Sequence, residues 1–299
     1  MARQEMGMKR NGWLRYAQLC GLMLPACVPV AAHGAEPDTA LRITFAPGQA
    51  ATVQIQPDQS IAVLFNSSGK RQTIPRLEIV NEDSAPRLRA EDVDFDGHPE
   101  LVVSGPVGMV NEAVAVYRYD PGQEKLVALE PASHQRSRCG GLMGLDVDAA
   151  NRTLSSSCRS GSMWYVDLYR YHDGRLYLYR AERALMLGDT LEATIFVKQT
   201  AESGPMAVWS TFDPAGKVLE TAISDGLVAP RSDRRLLAFS GQVVPARLPL
   251  YARPGDTATR RYLVRDDRVE LLDENDGWVK VRYANPTQGD ILGWVNANP

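Results

Sequence analysis

The residues best suited to chemistry lie in one short acidic segment, residues 92–101, which reads DVDFDGHPEL. Carboxylates occupy its first, third, fifth and ninth positions: Asp92, Asp94, Asp96 and Glu100. They can converge if the backbone turns tightly, which Gly97 at the sixth position permits, and His98 can add its backbone carbonyl. Carboxylates crowded in this way repel one another unless a cation neutralises them. The segment therefore predicts a site for a hard cation such as calcium, and the alternative is a solvated acidic turn.

The residues between the aspartates indicate which elements hold this loop. Val93 and Phe95 alternate with the acidic positions, so we expect them to point away from the carboxylates and into a core. The chain then continues into Leu101-Val102-Val103, which has the composition of a strand and not of an EF-hand helix. The acidic loop is thus expected to open a β-strand.

The region from residue 41 to about residue 225 has the pattern of short strands joined by turns. Three hairpins each consist of a strand, an aromatic residue, an aspartate-containing turn and a second strand, with Asp120, Asp173 and Asp213 in the turns. Their spacings of 53 and 40 residues fall near the blade length of propeller repeats, although unrelated hairpins with similar turns would look the same. We expect an all-β fold, with curved antiparallel sheets in a propeller-like or sandwich-like arrangement.

The composition changes near residues 225–245, where Gly, Pro and Arg residues suggest a domain boundary. Beyond it, five short apolar runs in about 50 residues have the layout of a small barrel. The predicted domains are residues 1–34, a targeting segment, residues 35–238, a propeller-like β domain, and residues 244–299, a small barrel.

The acidic loop at the start of a strand resembles the calcium loops of FG-GAP and related propeller repeats. Over residues 75–185 the chain is similar to a family of bacterial periplasmic β-propeller-like proteins, some of which inhibit c-type lysozyme. The similarity includes a later set of residues: Asn111, Tyr117, Tyr119, Asp120 and the hairpin at residues 169–178. Family members more often have Asn and Asp where this chain has Asp94 and Glu100, and both replacements still offer oxygen. The resemblance implies calcium binding, with Asn111, Tyr117 and Tyr119 as candidate contacts to a partner.

The C-terminal segment resembles bacterial SH3 domains from about residue 244 onward. The matching residues are the Leu250-Tyr251-x-x-Pro254 run, residues 262–269, the Gly277-Trp278-Val279 run and Gly293-Trp294-Val295. Such domains bind cell-wall peptides or dock other proteins. Tyr251, Trp278 and Trp294 are therefore candidate binding-face aromatics, and filling the barrel core is the alternative role for one or two of them.

Composition sets limits on the kind of partner. The chain has 299 residues, is 44% hydrophobic and has a formal net charge of -3. Its first 34 residues carry four basic residues against one acidic residue, so the remainder is at -6. A mildly acidic body gives little attraction for nucleic acid or anionic lipid.

The N-terminal segment has the three parts of a signal peptide. A basic start precedes an apolar run at residues 19–32, which is followed by small residues at Ala32 and Gly34. The run is about 14 residues, too short for a spanning helix. We expect export to the periplasm or secretion, with the start at either Met1 or Met8. A lipoprotein acylated at Cys27 is an alternative, but Pro25 and Val28 do not suit a lipobox.

The mature chain keeps an even pair of cysteines, Cys139 and Cys158. In a protein that enters an oxidising compartment, such a pair is expected to form a disulfide, and two buried thiols are the alternative.

Catalytic signatures are sparse in this sequence. It has no Gly-x-Ser-x-Gly and no His-Glu-x-x-His segment, and its histidines accompany no nucleophile motif. We therefore expect a calcium-stabilised, non-catalytic envelope protein that binds a protein or cell-wall partner. The alternatives are an inhibitor of a c-type lysozyme or related peptidoglycan hydrolase, and a weak glycan-active enzyme that uses the carboxylates of residues 92–100.

Overall fold

The secondary structure is almost entirely β. A computed structural model describes residues 40–77, 81, 84–200 and 202–298. This part of the chain contains 21 strands and one short helix, so the predicted all-β fold class is confirmed. The predicted signal peptide and Cys27 lie outside the described residues.

The strands are, in chain order, β1 Ala40–Ala46, β2 Gln49–Ile55, β3 Ile61–Phe65, β4 Arg71–Ile74, β5 Arg87–Glu91, β6 Glu100–Val107, β7 Asn111–Asp120, β8 Lys125–Ala128, β9 Asp146–Asp148, β10 Thr153–Ser160, β11 Met163–His172, β12 Arg175–Ala184, β13 Ile195–Val197, β14 Met206–Phe212, β15 Val218–Asp225, β16 Ser240–Val243, β17 Arg247–Pro249, β18 Tyr262–Val264, β19 Arg268–Asn275, β20 Trp278–Asn285 and β21 Gly289–Asn296. The helix α1, Gly188–Thr194, connects β12 to β13.

These strands form antiparallel sheets whose neighbours are mostly consecutive in sequence. Two sheets are four-stranded meanders, β1-β2-β3-β4 and β5-β6-β7-β8, and a third has the order β15-β14-β12-β11-β10-β9. The C-terminal strands form the sheet β13-β16-β19-β20-β21 and the pair β17-β18. No sheet in the described part of the chain closes into a barrel.

Alternation of side chains along β6 explains how the first three sheets stack. Leu101 and Val103 are fully buried on one face of the strand, in a core shared with β1–β4. Val102 points to the opposite face and is buried against the six-stranded sheet, where it packs with Leu154 and Tyr169. Because successive side chains of a strand point to opposite faces, one apolar run can supply two cores. The sheet β5–β8 is thus the middle layer of three.

The last core joins the six-stranded sheet to the C-terminal strands. It contains Val208 of β14 and Ile223 of β15 together with Val269 and Val281 of the C-terminal sheet. That sheet also includes β13, whose partner is β16. Packing is therefore continuous across the predicted boundary at residues 238–244, and the boundary stays a prediction.

The three predicted hairpins are present, and the aspartates of two of them accept hydrogen bonds within the turn. Asp120 Oδ1 accepts a hydrogen bond from the Gly122 N–H at 2.8 Å between β7 and β8. Asp213 Oδ1 accepts one from the Lys217 N–H, also at 2.8 Å, between β14 and β15. Asp173 instead adopts a φ of 49° in the turn between β11 and β12, a conformation that aspartate tolerates better than most residues.

Candidate metal centre

The acidic loop lies between β5 and β6 and is anchored by the residues that alternate with its aspartates. Val93 is fully buried in the core between the second and third sheets. Phe95 packs edge-on against the Tyr171 ring, with 6.2 Å between ring centroids. Both Phe95 and Gly97 have positive φ, 63° and 90°. The loop therefore turns tightly while its apolar residues fix it to the core, as the sequence predicts.

Three of the four loop carboxylates converge. One oxygen each of Asp92, Asp94 and Glu100 lies within 4.8 Å of the others. Asp96 is not part of this group; its Oδ1 accepts a hydrogen bond from the His98 N–H at 2.7 Å. The sequence predicts four carboxylate ligands of equal standing, whereas the structure brings oxygens of three of them within 4.8 Å of one another.

Asp92 organises the turn through both of its oxygens. Its Oδ1 accepts a hydrogen bond from the Asp96 N–H at 3.1 Å, and its Oδ2 accepts one from the Gly97 N–H at 3.0 Å. Such Asx-type bonds hold the backbone in a tight loop. The position of the carboxylate group of Asp92 is therefore set by the loop itself.

Glu100 is the most deeply placed of the three acids. It is 3% exposed, and its Oε2 accepts hydrogen bonds from the N–H groups of Val93 at 2.7 Å and Asp94 at 3.2 Å. Burial raises the pKa of Glu100 to about 7 in spite of these bonds, and the neighbouring Asp94 adds to the rise. Burial also raises the pKa of Asp94, and the charge of Asp96 contributes. The fold thus places these two carboxyl groups where burial makes their ionised form costly.

Little positive charge compensates the triad. Arg118 Nη1 lies 3.6 Å from Asp94 Oδ2, and this is the one ion pair to the triad among the described residues. The arginine is about half exposed, so solvent screens its effect. A bound cation or a proton would relieve the remaining repulsion.

A buried hydroxyl group next to the triad lacks a partner. The Tyr171 hydroxyl has no hydrogen-bond partner among the described residues and is shielded from solvent. Its pKa is raised by burial and then by the charges of Asp94 and Glu100. The ring that carries it contacts Phe95 of the acidic loop. Sequence reasoning did not include Tyr171 among the site residues, although it lies in the predicted hairpin of β11 and β12. An unsatisfied buried oxygen near a loop with three converging carboxylates fits a site for a hard cation, whose ligands are oxygen atoms.

His98 lies at the edge of this loop. Its side chain borders a small cavity of about 180 Å³ together with Asp96, Arg118 and Tyr119. The contribution of its carbonyl to metal binding stays a prediction.

The predicted cysteine pair is bonded. Cys139 and Cys158 form a disulfide with their Cα atoms 5.5 Å apart, which confirms that prediction. The bridge ties the loop before β9 to the strand β10.

The three candidate partner residues of β7 have different surroundings. Asn111 exchanges two hydrogen bonds with the backbone of Arg159: it accepts from the N–H at 2.7 Å and donates to the carbonyl at 3.0 Å. Tyr119 stacks on Phe45 with 5.3 Å between ring centroids, and its hydroxyl donates to Gln49 Oε1 at 2.9 Å. Tyr117 borders a separate cavity of about 540 Å³. All three side chains are partly buried, so the structure gives each of them intramolecular contacts.

The three C-terminal aromatic residues lie together. The Tyr251 ring meets the Trp278 ring edge-on at 5.1 Å, and the backbones of Tyr251 and Trp294 exchange hydrogen bonds of 2.8 and 2.9 Å. Lys280 Nζ lies 6.0 Å from the centre of the Trp294 ring. Each of the three aromatic side chains is partly buried.

In the described part of the chain, no helix has the length and apolar character needed to cross a membrane.

Comparison with known proteins adds no family assignment. The chain matches no protein-family model, and no curated protein or solved structure shows a significant match to it.

Proposed function

We propose that the protein is an exported, calcium-stabilised, non-catalytic envelope protein that binds a protein or cell-wall partner. The observation that carries this proposal is the convergence of Asp92, Asp94 and Glu100 in a loop that also contacts the ring of Tyr171, whose hydroxyl has no partner among the described residues. Calcium bound there would neutralise the carboxylates and fix the loop between β5 and β6.

The donor set favours calcium over softer metals. All three side chains offer carboxylate oxygen, and the loop has no cysteine. Carboxylates and backbone carbonyls are the ligands of hard cations, whereas zinc and copper sites use cysteine or histidine. We propose that these carboxylates act as metal ligands and not as an acid-base pair, and we propose a binding protein and not a hydrolase for this reason.

The disulfide and the stacking of the sheets support the proposed export and the proposed architecture. The Cys139–Cys158 disulfide is consistent with an oxidising compartment. The four-stranded meanders that stack face to face resemble successive blades, which supports a propeller-like arrangement of the first sheets. We propose that the C-terminal strands serve as an SH3-like docking module next to these sheets.

The metal site can be tested by thermal unfolding with calcium or with a chelator. A ligand that binds only the folded state stabilises it by about 2.7 kcal/mol at a hundredfold excess over Kd, so the Tm should rise with calcium. Asp94→Ala, which removes the ligand oxygens, should abolish this rise. Asp120→Ala, which changes an aspartate in a different turn, is the matched control and should keep it. A calcium response that is absent from the native chain, or unchanged in Asp94→Ala, would refute the site.

Partner binding needs a separate experiment. The mature protein, immobilised with calcium or with chelator, is exposed to envelope extract and to purified cell-wall sacculi. We expect saturable retention of a protein or of wall material, and weaker retention with chelator because the loop loses its order. Failure to retain either at any calcium concentration would contradict the binding function while leaving the metal site intact.

A further inference from the structure

A second charged site lies on the six-stranded sheet, away from the acidic loop. It is an open cavity of about 530 Å³ between the faces of β11, β12, β14 and β15 and the segment at residues 231–235. Four arginines and two acids are among the residues that line it: Arg170, Arg180, Arg234, Arg235, Glu220 and Asp233. The lining is thus positively charged in a protein that is acidic as a whole.

Arg180 forms the floor of this cavity, and each nitrogen of its guanidinium group already has a hydrogen-bond partner. It lies on β12, is 1% exposed, and donates from Nε to Thr211 Oγ1 at 2.9 Å. Its Nη1 donates to the Arg231 carbonyl at 2.6 Å, and its Nη2 lies 3.3 Å from Glu220 Oε1. Burial lowers the pKa of Arg180. Because Arg180 donates to the backbone carbonyls of Arg231 and Arg234, the buried arginine fixes residues 231–235 on the sheet.

Arg170 lies beside Arg180 and keeps N–H groups that its own contacts do not use. Its guanidinium lies 3.7 Å from the centre of the Tyr179 ring and donates to the Ser232 carbonyl. The Tyr179 hydroxyl donates to the same carbonyl at 3.3 Å. Among the described residues, no carboxylate lies within ion-pair distance of Arg170. The stacked tyrosine and the shared carbonyl hold this cation in a fixed position without neutralising it.

The two acids of the cavity already have partners. Glu220 pairs with Arg180, and Asp233 pairs with Arg231 through two contacts of 2.7 and 3.0 Å. The pKa of Asp233 is lowered, mainly by its hydrogen bond with Arg231. Arg234 reaches Asp233 only at 4.0 Å, and Arg235 has no carboxylate within 4 Å in the described part of the chain. Two of the four arginines, Arg170 and Arg235, therefore have no acidic partner among the described residues, and Arg234 has only the 4.0 Å contact with an aspartate that Arg231 already holds.

We propose that this cavity binds an oxyanion group, a carboxylate or a phosphate, of a small ligand, through Arg170, Arg234 and Arg235. Guanidinium groups donate paired N–H bonds that match the geometry of both anions. Arg170 is held in place before the ligand arrives, while Arg234 and Arg235 at the exposed rim close on it. The site is independent of calcium binding, since none of its residues belongs to the acidic loop.

The test is a titration of the full mature chain with inorganic phosphate, with glutarate and with glutaramide, the neutral counterpart of glutarate. Amide signals of residues 231–235 report binding by NMR at constant ionic strength, without added divalent cation. We expect saturable shifts with phosphate or glutarate and none with glutaramide. A response to phosphate alone identifies a phosphate site, and a response to glutarate alone a carboxylate site.

The variant Arg234→Gln/Arg235→Gln should raise the Kd for the anion at least about tenfold. It keeps the backbone carbonyls that Arg180 uses, so the segment should stay in place. Arg253→Gln/Arg260→Gln removes the same charge from an exposed loop that does not line the cavity, and should change the Kd less than about twofold. Absence of saturable shifts, equal shifts with glutaramide, or equal loss in both double variants would overturn the proposal.

Discussion

At the scale of single residues, the buried carboxyl group of Glu182 makes the protein less stable as pH rises, whereas most acids in proteins have the opposite effect. Glu182 is 4% exposed on β12, and its Oε1 accepts a hydrogen bond from the Val166 N–H at 3.1 Å. Burial raises its pKa to about 8, and the nearby charge of Asp167 contributes. The folded protein therefore binds a proton here that the unfolded chain releases near its ordinary pKa of 4.5.

This shift predicts that stability falls as pH rises from the unfolded pKa through about 8. Glu100 contributes in the same direction, but only up to about 7. Glu182→Gln should not show the loss of stability that the native protein shows between about pH 7 and about pH 9. At the higher pH the variant should be more stable than the native protein by on the order of a few kcal/mol. Urea unfolding at the two pH values measures this.

Glu192→Gln, at an exposed position of α1, is the control and should follow the native pH dependence. If Glu182→Gln unfolds with that same dependence, the carboxyl group is not protonated in the folded state.

At the scale of elements, the loop before β9 is attached to the six-stranded sheet by one buried carboxylate and one disulfide, together with hydrogen bonds such as the one from the Ser157 N–H to the Met143 carbonyl at 2.7 Å. Asp167 Oδ2 accepts hydrogen bonds from the Ser137 hydroxyl and the Arg138 N–H, both at 2.8 Å, and from the Cys139 N–H at 3.0 Å. Asp167 is fully buried on β11, and its Oδ1 has no partner among the described residues. The loop has no strand of its own between β8 and β9, so these attachments fix its position.

Removing the disulfide should therefore loosen this loop first. The bridge closes a sequence separation of 19 residues, for which the chain-entropy model gives about 3 kcal/mol. We expect Cys139→Ser/Cys158→Ser to lose about this amount in urea unfolding, with faster hydrogen exchange in residues 131–144.

Reductant should have the same effect on the native chain and none on the double variant. An equal unfolding free energy for native and variant proteins would show that the hydrogen bonds of the loop hold it in place without the bridge.

At the scale of the whole molecule, Gly241 lies where the C-terminal sheet meets the rest of the protein. It is paired with Val197 of β13 and with Val269 of β19. A Cβ atom at this position would lie 2.2 Å from Ile195 Cγ2 and 3.1 Å from Leu271 Cδ1. Both neighbours belong to the core that also contains Val208 and Ile223 of the six-stranded sheet.

Gly241→Ala should consequently destabilise both sides of this core. Overpacking of this kind costs about 1–3 kcal/mol. Hydrogen exchange should become faster in β14 as well as in β19, because the two strands share one core, while β1–β4 should change little. Faster exchange in β19 with an unchanged β14 would show that residues 244–299 unfold as a separate domain.

The sequence was sufficient for features that depend on neighbouring residues. Hairpins around Asp120 and Asp213, the tight acidic loop and the burial of Val93 all follow from local turn chemistry and from alternation along a strand. The pairing of Cys139 with Cys158 followed from simple counting, because two of the four cysteines lie in the predicted signal peptide and two remain.

Only the tertiary structure decided which distant residues meet. Asp92, Asp94 and Glu100 converge without Asp96, the Tyr171 ring packs on the acidic loop from another sheet, and Asn111 bonds to the backbone of Arg159. Arg180 appears in the sequence as an ordinary strand arginine, yet it is buried under a segment about 50 residues later. Such contacts depend on the order and stacking of sheets, which strand periodicity does not encode, because an apolar face specifies burial but not the surface that covers it.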